Sequence, residues 1–238
     1  TGTVNNSGTI LHKRKTYTNN GIINNLGTGT IQNNDSIVIG STGKIINSNT
    51  ITLDSTFTNN GDIVNYSGKT ITVNRAFINN KLVDNAGTFV VGHTFGSITN
   101  NLTFNNKSSA TLTNYGTISV SAAGTITNIG TFNNTKTSET INASFSIVGT
   151  FNNQDSGTIV NTGNMINEVS GTITNPGTID NRSSITNNAV INTTGTLLNT
   201  ADGLINNNLT LNNNTNGTIT NLGTISNNIG STIGNTGT

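Results

Sequence analysis

Residues 217–238 read GTITNLGTISNNIGSTIGNTGT. Gly-Thr-Ile-x-Asn stands there twice, followed by a looser version, and it returns as GTITNP at 171–176, GTITNI at 124–129 and GSITNN at 96–101. The repeated unit is an apolar residue, any residue, then Asn, as in Phe57-Thr-Asn59, Ile63-Val-Asn65, Ile179-Asp-Asn181 and Ile225-Ser-Asn227. In a strand, residues two apart point to the same side. The Ile and the Asn therefore face one way and the flanking Thr residues the other. Ile and Thr are β-branched and suit strands, whereas Asn, Thr and Gly are poor helix formers. No apolar stripe of helical period appears.

The whole chain shares this character. Of 238 residues, 48 are Asn, 46 Thr and 27 Gly, while charged residues make up 8%, against about 25% in ordinary domains. The net charge of +1 removes the electrostatic case for nucleic acid or an anionic membrane as partner. There is no Cys, so no disulfide or thiolate metal site is expected. No apolar run is long enough to span a membrane. A disordered Asn-rich tract would lack evenly spaced apolar residues. Here 31% of residues are hydrophobic and they recur at fixed intervals.

Strands this short gain stability by stacking on the equivalent strand of the next repeat. The expectation is a single all-β domain over 1–238: a parallel β-solenoid with each coil of chain forming one rung. Asn5, Asn19, Asn33 and Asn47 are 14 residues apart, as are Asn100, Asn114, Asn128 and Asn142. Gaps between motifs alternate short and long, which favours two short strands per rung of about 14 residues. That gives 238/14 = 17 rungs and about 80 Å of solenoid. The alternative is a three-faced rung of about 20 residues, which would place long and short turns on one corner in successive rungs.

Inward Ile, Val, Leu and Phe are expected to form apolar columns. Each inward Asn should sit at a corner and hydrogen-bond along the axis, amide to amide, since an unpaired buried amide costs about 1–3 kcal/mol. Asn pairs at 19–20, 24–25, 59–60, 79–80 and 227–228 read as turns that use the tolerance of Asn for left-handed backbone. Glycines are expected where positive φ re-aims the chain.

Catalytic signals are weak. The nine acids, Asp35, Asp54, Asp62, Asp84, Glu139, Asp155, Glu168, Asp180 and Asp202, are scattered, whereas polysaccharide cleavage needs paired carboxylates. Asp180 and Arg182 read as a surface pair, and His12 and His93 lack a third ligand. The expectation is no enzyme, no cofactor and no metal. The HKRK run at 12–15 reads as a solvated corner loop. Of twelve Asn-x-Ser/Thr sequons, those on inward Asn should be inaccessible once folded. Thr-Ile-Thr at 125–127, 172–174 and 218–220 resembles the rows of ice-binding solenoids, but the Thr positions are mixed with Val, Asp and Ser.

The motif is already running at Gly2-Thr3-Val4-Asn5 and still running at Ser231-Thr232-Ile233-Gly234-Asn235. Solenoid caps are usually atypical in sequence, and low charge leaves a sheet edge unguarded. Head-to-tail stacking through Val4 and Asn5 at one end and Ile225, Asn227, Ile233 and Asn235 at the other is therefore the expected assembly. Such contacts do not close and so build a filament.

The GTITNxGTIxN repeats resemble the Asn/Thr/Gly-rich β-solenoid repeats of secreted bacterial and archaeal surface proteins, including filamentous-haemagglutinin-like adhesins. That resemblance implies an extracellular or cell-surface location and an adhesive, matrix or filament role. The expected function is a structural subunit of an extracellular fibre whose partner is itself. The alternative is an adhesin segment that binds glycans or neighbouring cells.

Overall fold

A computed structural model describes residues 2–138 and 142–238. Glu139, one of the nine acids, lies outside the described residues. The described chain contains 34 strands, from Thr3–Asn6 to Thr232–Asn235, and no helix. They stack as three parallel sheets of 12, 11 and 11 strands, each strand pairing with the third before and the third after it. The three sheets are the faces of a triangular prism, numbered 1 to 3 in chain order. Rung 2, for example, is Ile22–Asn25 on face 1, Thr30–Asn33 on face 2 and Ile37–Ile39 on face 3.

The solenoid is as the repeat implies, but the rung has three sides and about 20 residues rather than two sides and 14. Thr3 pairs with Ile22, Ile22 with Lys44 and Lys44 with Asp62. Fourteen residues is two sides of the triangle. The series Asn19, Asn33, Asn47 steps backward through faces 3, 2 and 1, so it imitates a rung without being one. Twelve strands on face 1 make a rod about 50 Å long, in place of 17 rungs and 80 Å.

The alternation of gaps also has a three-sided cause. At the corner between faces 1 and 2, Asn6 to Thr9 is bridged by two residues, Asn25 to Thr30 by four, Asn47 to Thr50 by two and Asn65 to Thr70 by four. Each long turn flares into solvent and is closed by one backbone bond, Gly29 N–H to the Leu26 carbonyl at 2.7 Å and Lys69 N–H to the Tyr66 carbonyl at 3.1 Å. Long and short turns do occupy one corner in successive rungs, and each flare thus has a compact turn above and below it.

Burial along the strands alternates as the period-two reading requires: Thr30 half-buried, Ile31 buried, Gln32 half-buried, Asn33 buried. The second residue of each four-residue strand, and the first of the three-residue strands such as Ile37 and Phe57, faces the core, so three side chains meet on the axis in each three-stranded rung. Seven phenylalanines lie there. Several meet edge to face, among them Phe132 and Phe145 with centroids 4.8 Å apart at 89° and Phe145 and Phe151 at 5.0 Å and 81°, the arrangement that a ring quadrupole favours.

The last inward residue of each strand forms a corner column, and the expected amide ladders are there. On face 1, Asn6, Asn25, Asn47, Asn65 and Asn85 each donate through Nδ2 to Oδ1 of the next, at 2.7–2.8 Å. The second Nδ2 hydrogen reaches the carbonyl of the residue that opens the following face in the rung above, as from Asn25 to Thr50 at 3.0 Å and from Asn106 to Thr131 at 2.9 Å. Both amide hydrogens are thereby used. On all three faces the inner ladders donate toward the C-terminal end. Shorter outer ladders, such as Asn101 to Asn80 to Asn60, donate the other way.

Three local expectations need correction. Asn5 faces outward and accepts from Asn24 at 2.7 Å, while the inward ladder residue is Asn6. Likewise the pair at 24–25 lies within a strand, and none of the Asn pairs has positive φ. In the pairs at 59–60 and 79–80 the first Asn joins an inner ladder and the second an outer one. Positive φ is also rare among the glycines, being confined to Gly68 and Gly230. Glycine is needed instead where rungs approach closely: a Cβ on Gly61 would stand 2.1 Å from the Gly43 carbonyl oxygen.

Candidate functional site

The six residues expected to mediate assembly fall at the two ends of the rod. Val4 is in register with Ile23 but 46% exposed, and it lines an apolar recess of about 260 Å³ with Ile10, Tyr17, Ile23 and Ile31. At the other end Ile233, in register with Leu211, is 43% exposed. It shares a recess of about 160 Å³ with Leu211, Ile219 and Ile225. Asn227 and Asn235 accept the final ladder bonds on faces 3 and 1, from Asn207 and Asn213, both at 2.8 Å. Within one molecule these residues do not converge. Val4 and Asn5 are separated from the other four by the length of the prism.

The ends are polar in a second sense. Because Nδ2 donates toward the C-terminal end throughout the inner ladders, the N-terminal end presents the oxygen side of its amides. The Oδ1 atoms of Asn6 and Asn19 accept there from the nearby N–H groups of Gly8 and Gly21, both at 3.2 Å. The C-terminal end presents the amide-hydrogen side, and Nδ2 of Asn227 turns to the Ser231 carbonyl at 3.1 Å.

Charged groups are dispersed over the surface, and three local ion pairs form among the described residues. Asp62 meets Lys81 at 3.0 Å and Asp84 meets Lys107 at 2.9 Å, both across adjacent rungs. Asp54 accepts from Gln32 at 2.9 Å and Asn74 at 2.7 Å. Arg182 binds Asp180 at 2.5 Å, and the hydrogen bond and the negative charge of Asp180 raise the Arg182 pKa. Exposed pairs of this kind contribute little to stability. Among the described residues no group of three or more His, Asp or Glu is placed to hold a metal ion. Lys13, Arg14 and Lys15 form an exposed corner after the strand Thr9–His12, and Lys15 has a φ of 64°.

The outer surface shows an order that the assumed period hid. Every one of the 11 strands on face 2 opens with Thr, from Thr9 to Thr218, so one threonine column runs unbroken along that face. The next outward position is mixed: Leu11, Gln32, Thr52, then Val90, Asp180 and Leu198 further on. The Thr-Ile-Thr segments at 125–127 and 172–174 lie on face 1 and that at 218–220 on face 2, so they do not combine into one two-column array. Of the sequons, Asn65, Asn106, Asn181 and Asn213 are buried ladder residues, whereas Asn34, Asn142, Asn208 and Asn216 are exposed.

No family model matches the chain, and no curated protein matches it. Among solved structures, the TibC-catalyzed hyper-glycosylated TibA55-350 fragment is similar with a TM-score of 0.39 and 18% sequence identity, over 98% of this chain and 86% of that one. A likeness at that level carries no argument about what this chain does.

Proposed function

We propose that this chain is a structural, non-catalytic rod of an extracellular surface fibre, and that rods join head to tail. The observation that carries the reading is the common polarity of the inner Asn ladders. Rungs 1 to 11 are joined by parallel strands on three faces, and corner amides that donate in one direction run between them. A rung added at the C-terminal end meets free amide hydrogens with acceptor oxygens, and continues the apolar columns of Ile225 and Ile233. A second copy, offering Val4 and Asn6, supplies that rung with matching polarity. An inverted copy would set donor against donor. Such a heterologous contact repeats without closing.

Electron microscopy over a dilution series tests this. Unbranched fibres of uniform width are expected, dissociating to rods of about 50 Å on dilution. Ile233→Asp is expected to abolish the fibres and leave the rods, because it places a charge in an end contact. Isolated rods at every concentration would overturn head-to-tail joining.

The second reading, an adhesive segment, is supported by the outer faces. They carry long rows of hydroxyl and amide groups, including the outer ladder Asn60–Asn80–Asn101, with few charges between them. It shares the extracellular location but does not require the rods to join.

A further inference from the structure

Seven of the eight phenylalanines are core residues at 1% exposure or less, but Phe95 is 62% exposed. It projects from residues 92–96, which link the strands Thr88–Val91 and Ser97–Asn100 at the corner between faces 2 and 3. The rungs on either side turn that corner with two residues each, Asn74-Arg75 below and Tyr115-Gly116 above.

This longer turn is firmly held. Gly92 N–H donates to the Val73 carbonyl at 2.8 Å and Phe95 N–H to the His93 carbonyl at 2.6 Å. Gly92 and Gly96 lie so close to the rung below that a Cβ would come within 2.5 Å of Asn74 Oδ1 and 2.6 Å of the Val73 carbonyl oxygen respectively. Between them Thr94 has a φ of 62°, a left-handed conformation that is a real outlier for a β-branched residue. Strain retained beside an outward aromatic points toward use rather than packing.

Planar groups line up around it. The Arg75 guanidinium sits 4.5 Å from the centroid of the Phe95 ring, a cation–π contact. His93 stacks on Tyr115 with centroids 4.6 Å apart and planes 20° from parallel. Arg75, Phe95, His93 and Tyr115 thus span three successive rungs, about 10 Å along one edge.

We infer that this corner is a binding platform for a neutral saccharide. The outward face of Phe95 takes the C–H face of a pyranose ring, the His93–Tyr115 pair takes a neighbouring ring, and Arg75 and Thr94 bond the hydroxyl rim. The corner is convex, so it has no walls to enclose a peptide side chain or a lipid tail. Its one fixed positive charge, Arg75, is too little to neutralise a polyanion. A flat ligand with one apolar face and a polar rim fits what remains. Phe95, His93, Tyr115, Arg75 and Thr94 contact the ligand, and the left-handed backbone at Thr94 also turns Phe95 outward. The inference does not depend on whether rods join, because it concerns the flank of the prism.

Isotope-labelled full chain is titrated with cellobiose, lactose and di-N-acetylchitobiose, followed by amide and aromatic NMR. Saturable shifts confined to Arg75, residues 92–97 and Tyr115 are expected with at least one sugar. Phe95→Ala removes those shifts and Phe95→Trp keeps them, with the rest of the amide spectrum unchanged because the ring is largely in solvent. Thr94→Gly is expected to weaken the response while raising the melting temperature, which a purely structural turn would not do. If Phe95→Ala disturbs the wider spectrum, Tyr115→Ala decides by loss of the same shifts. No saturable shift at the corner with any of the three sugars, or shifts that survive Phe95→Ala, overturns the inference.

Discussion

Rungs 2 to 7 and rungs 8 to 11 fill the same triangle in two ways. In the first group one corner of every rung is aliphatic: Ile39, Leu53, Val73, Val91, Val120 and Ile147 in turn. Six of the seven buried phenylalanines are in these rungs. In rungs 8 to 11 all three corners are polar, Asn throughout except Thr193, and the axis is filled mainly by Ile and Leu. The first design relies on apolar volume with two amide ladders, the second on three ladders around a slimmer core. Either residue type serves at a corner, and what costs free energy is an amide oxygen left without a donor where the residue one rung below is not Asn. Buried Oδ1 atoms without a partner occur at Asn33, Asn167 and Asn213. The residues one rung below them are His12, Ile147 and Thr193, none of which offers a proton upward. Thr193 spends its hydroxyl proton on the Asn175 carbonyl at 3.1 Å while accepting from Asn175 Nδ2 at 3.0 Å.

Substitutions in the two groups of rungs differ in expected cost. Phe145→Ala, in the thick-cored half, is expected to destabilise by about 3–5 kcal/mol, read as a lowered thermal midpoint. Asn181→Leu, inside a continuous ladder, strands the Asn161 amide and the Asn199 oxygen that it now pairs at 2.8 and 2.7 Å. The expected loss is about 2–4 kcal/mol, with faster amide exchange in rungs 8 to 10. Val73→Asn makes the converse error by placing an amide between Leu53 and Val91, for a loss of about 1–3 kcal/mol. Asn167→Val merely moves the boundary up one rung and removes an unpartnered oxygen, so about 1 kcal/mol or less is expected. Thr193→Asn sharpens the rule by joining the two parts of the face 1 ladder, and a gain of about 0.5–1 kcal/mol should appear as a raised midpoint. A loss comparable to that of Asn181→Leu at either of the last two positions would count against boundary matching.

The solenoid, the inward alternation and the amide ladders were legible because the apolar-x-Asn unit puts both residues on one face and recurs along the chain, so that equivalent Asn residues stack whatever the rung length. The number of sides was not. It depends on which Asn stacks on which, and a 14-residue step from Asn19 to Asn33 repeats as regularly as the true step from Asn25 to Asn47. Pairing in register also decides that Asn6 rather than Asn5 points inward, as Val4-Asn5-Asn6 already implied by the apolar-x-Asn rule. The threonine column of face 2 emerges only once rungs are aligned. Phe95 did leave a signal. Each core Phe has Asn or an aliphatic residue two positions on, as in Phe104-Asn-Asn106 and Phe145-Ser-Ile147, whereas Phe95 is followed by Gly96 and Ser97.

The common direction of the inner amides has an electrical consequence. Backbone dipoles in a sheet largely cancel, and the outer ladders offset only part of what the inner columns add. The prism therefore carries a permanent moment along its axis that is written in side chains rather than in peptide groups. In solution it is a small electret: a pulsed field should turn every rod the same way round, and the sign of that alignment reads the chain direction without any label.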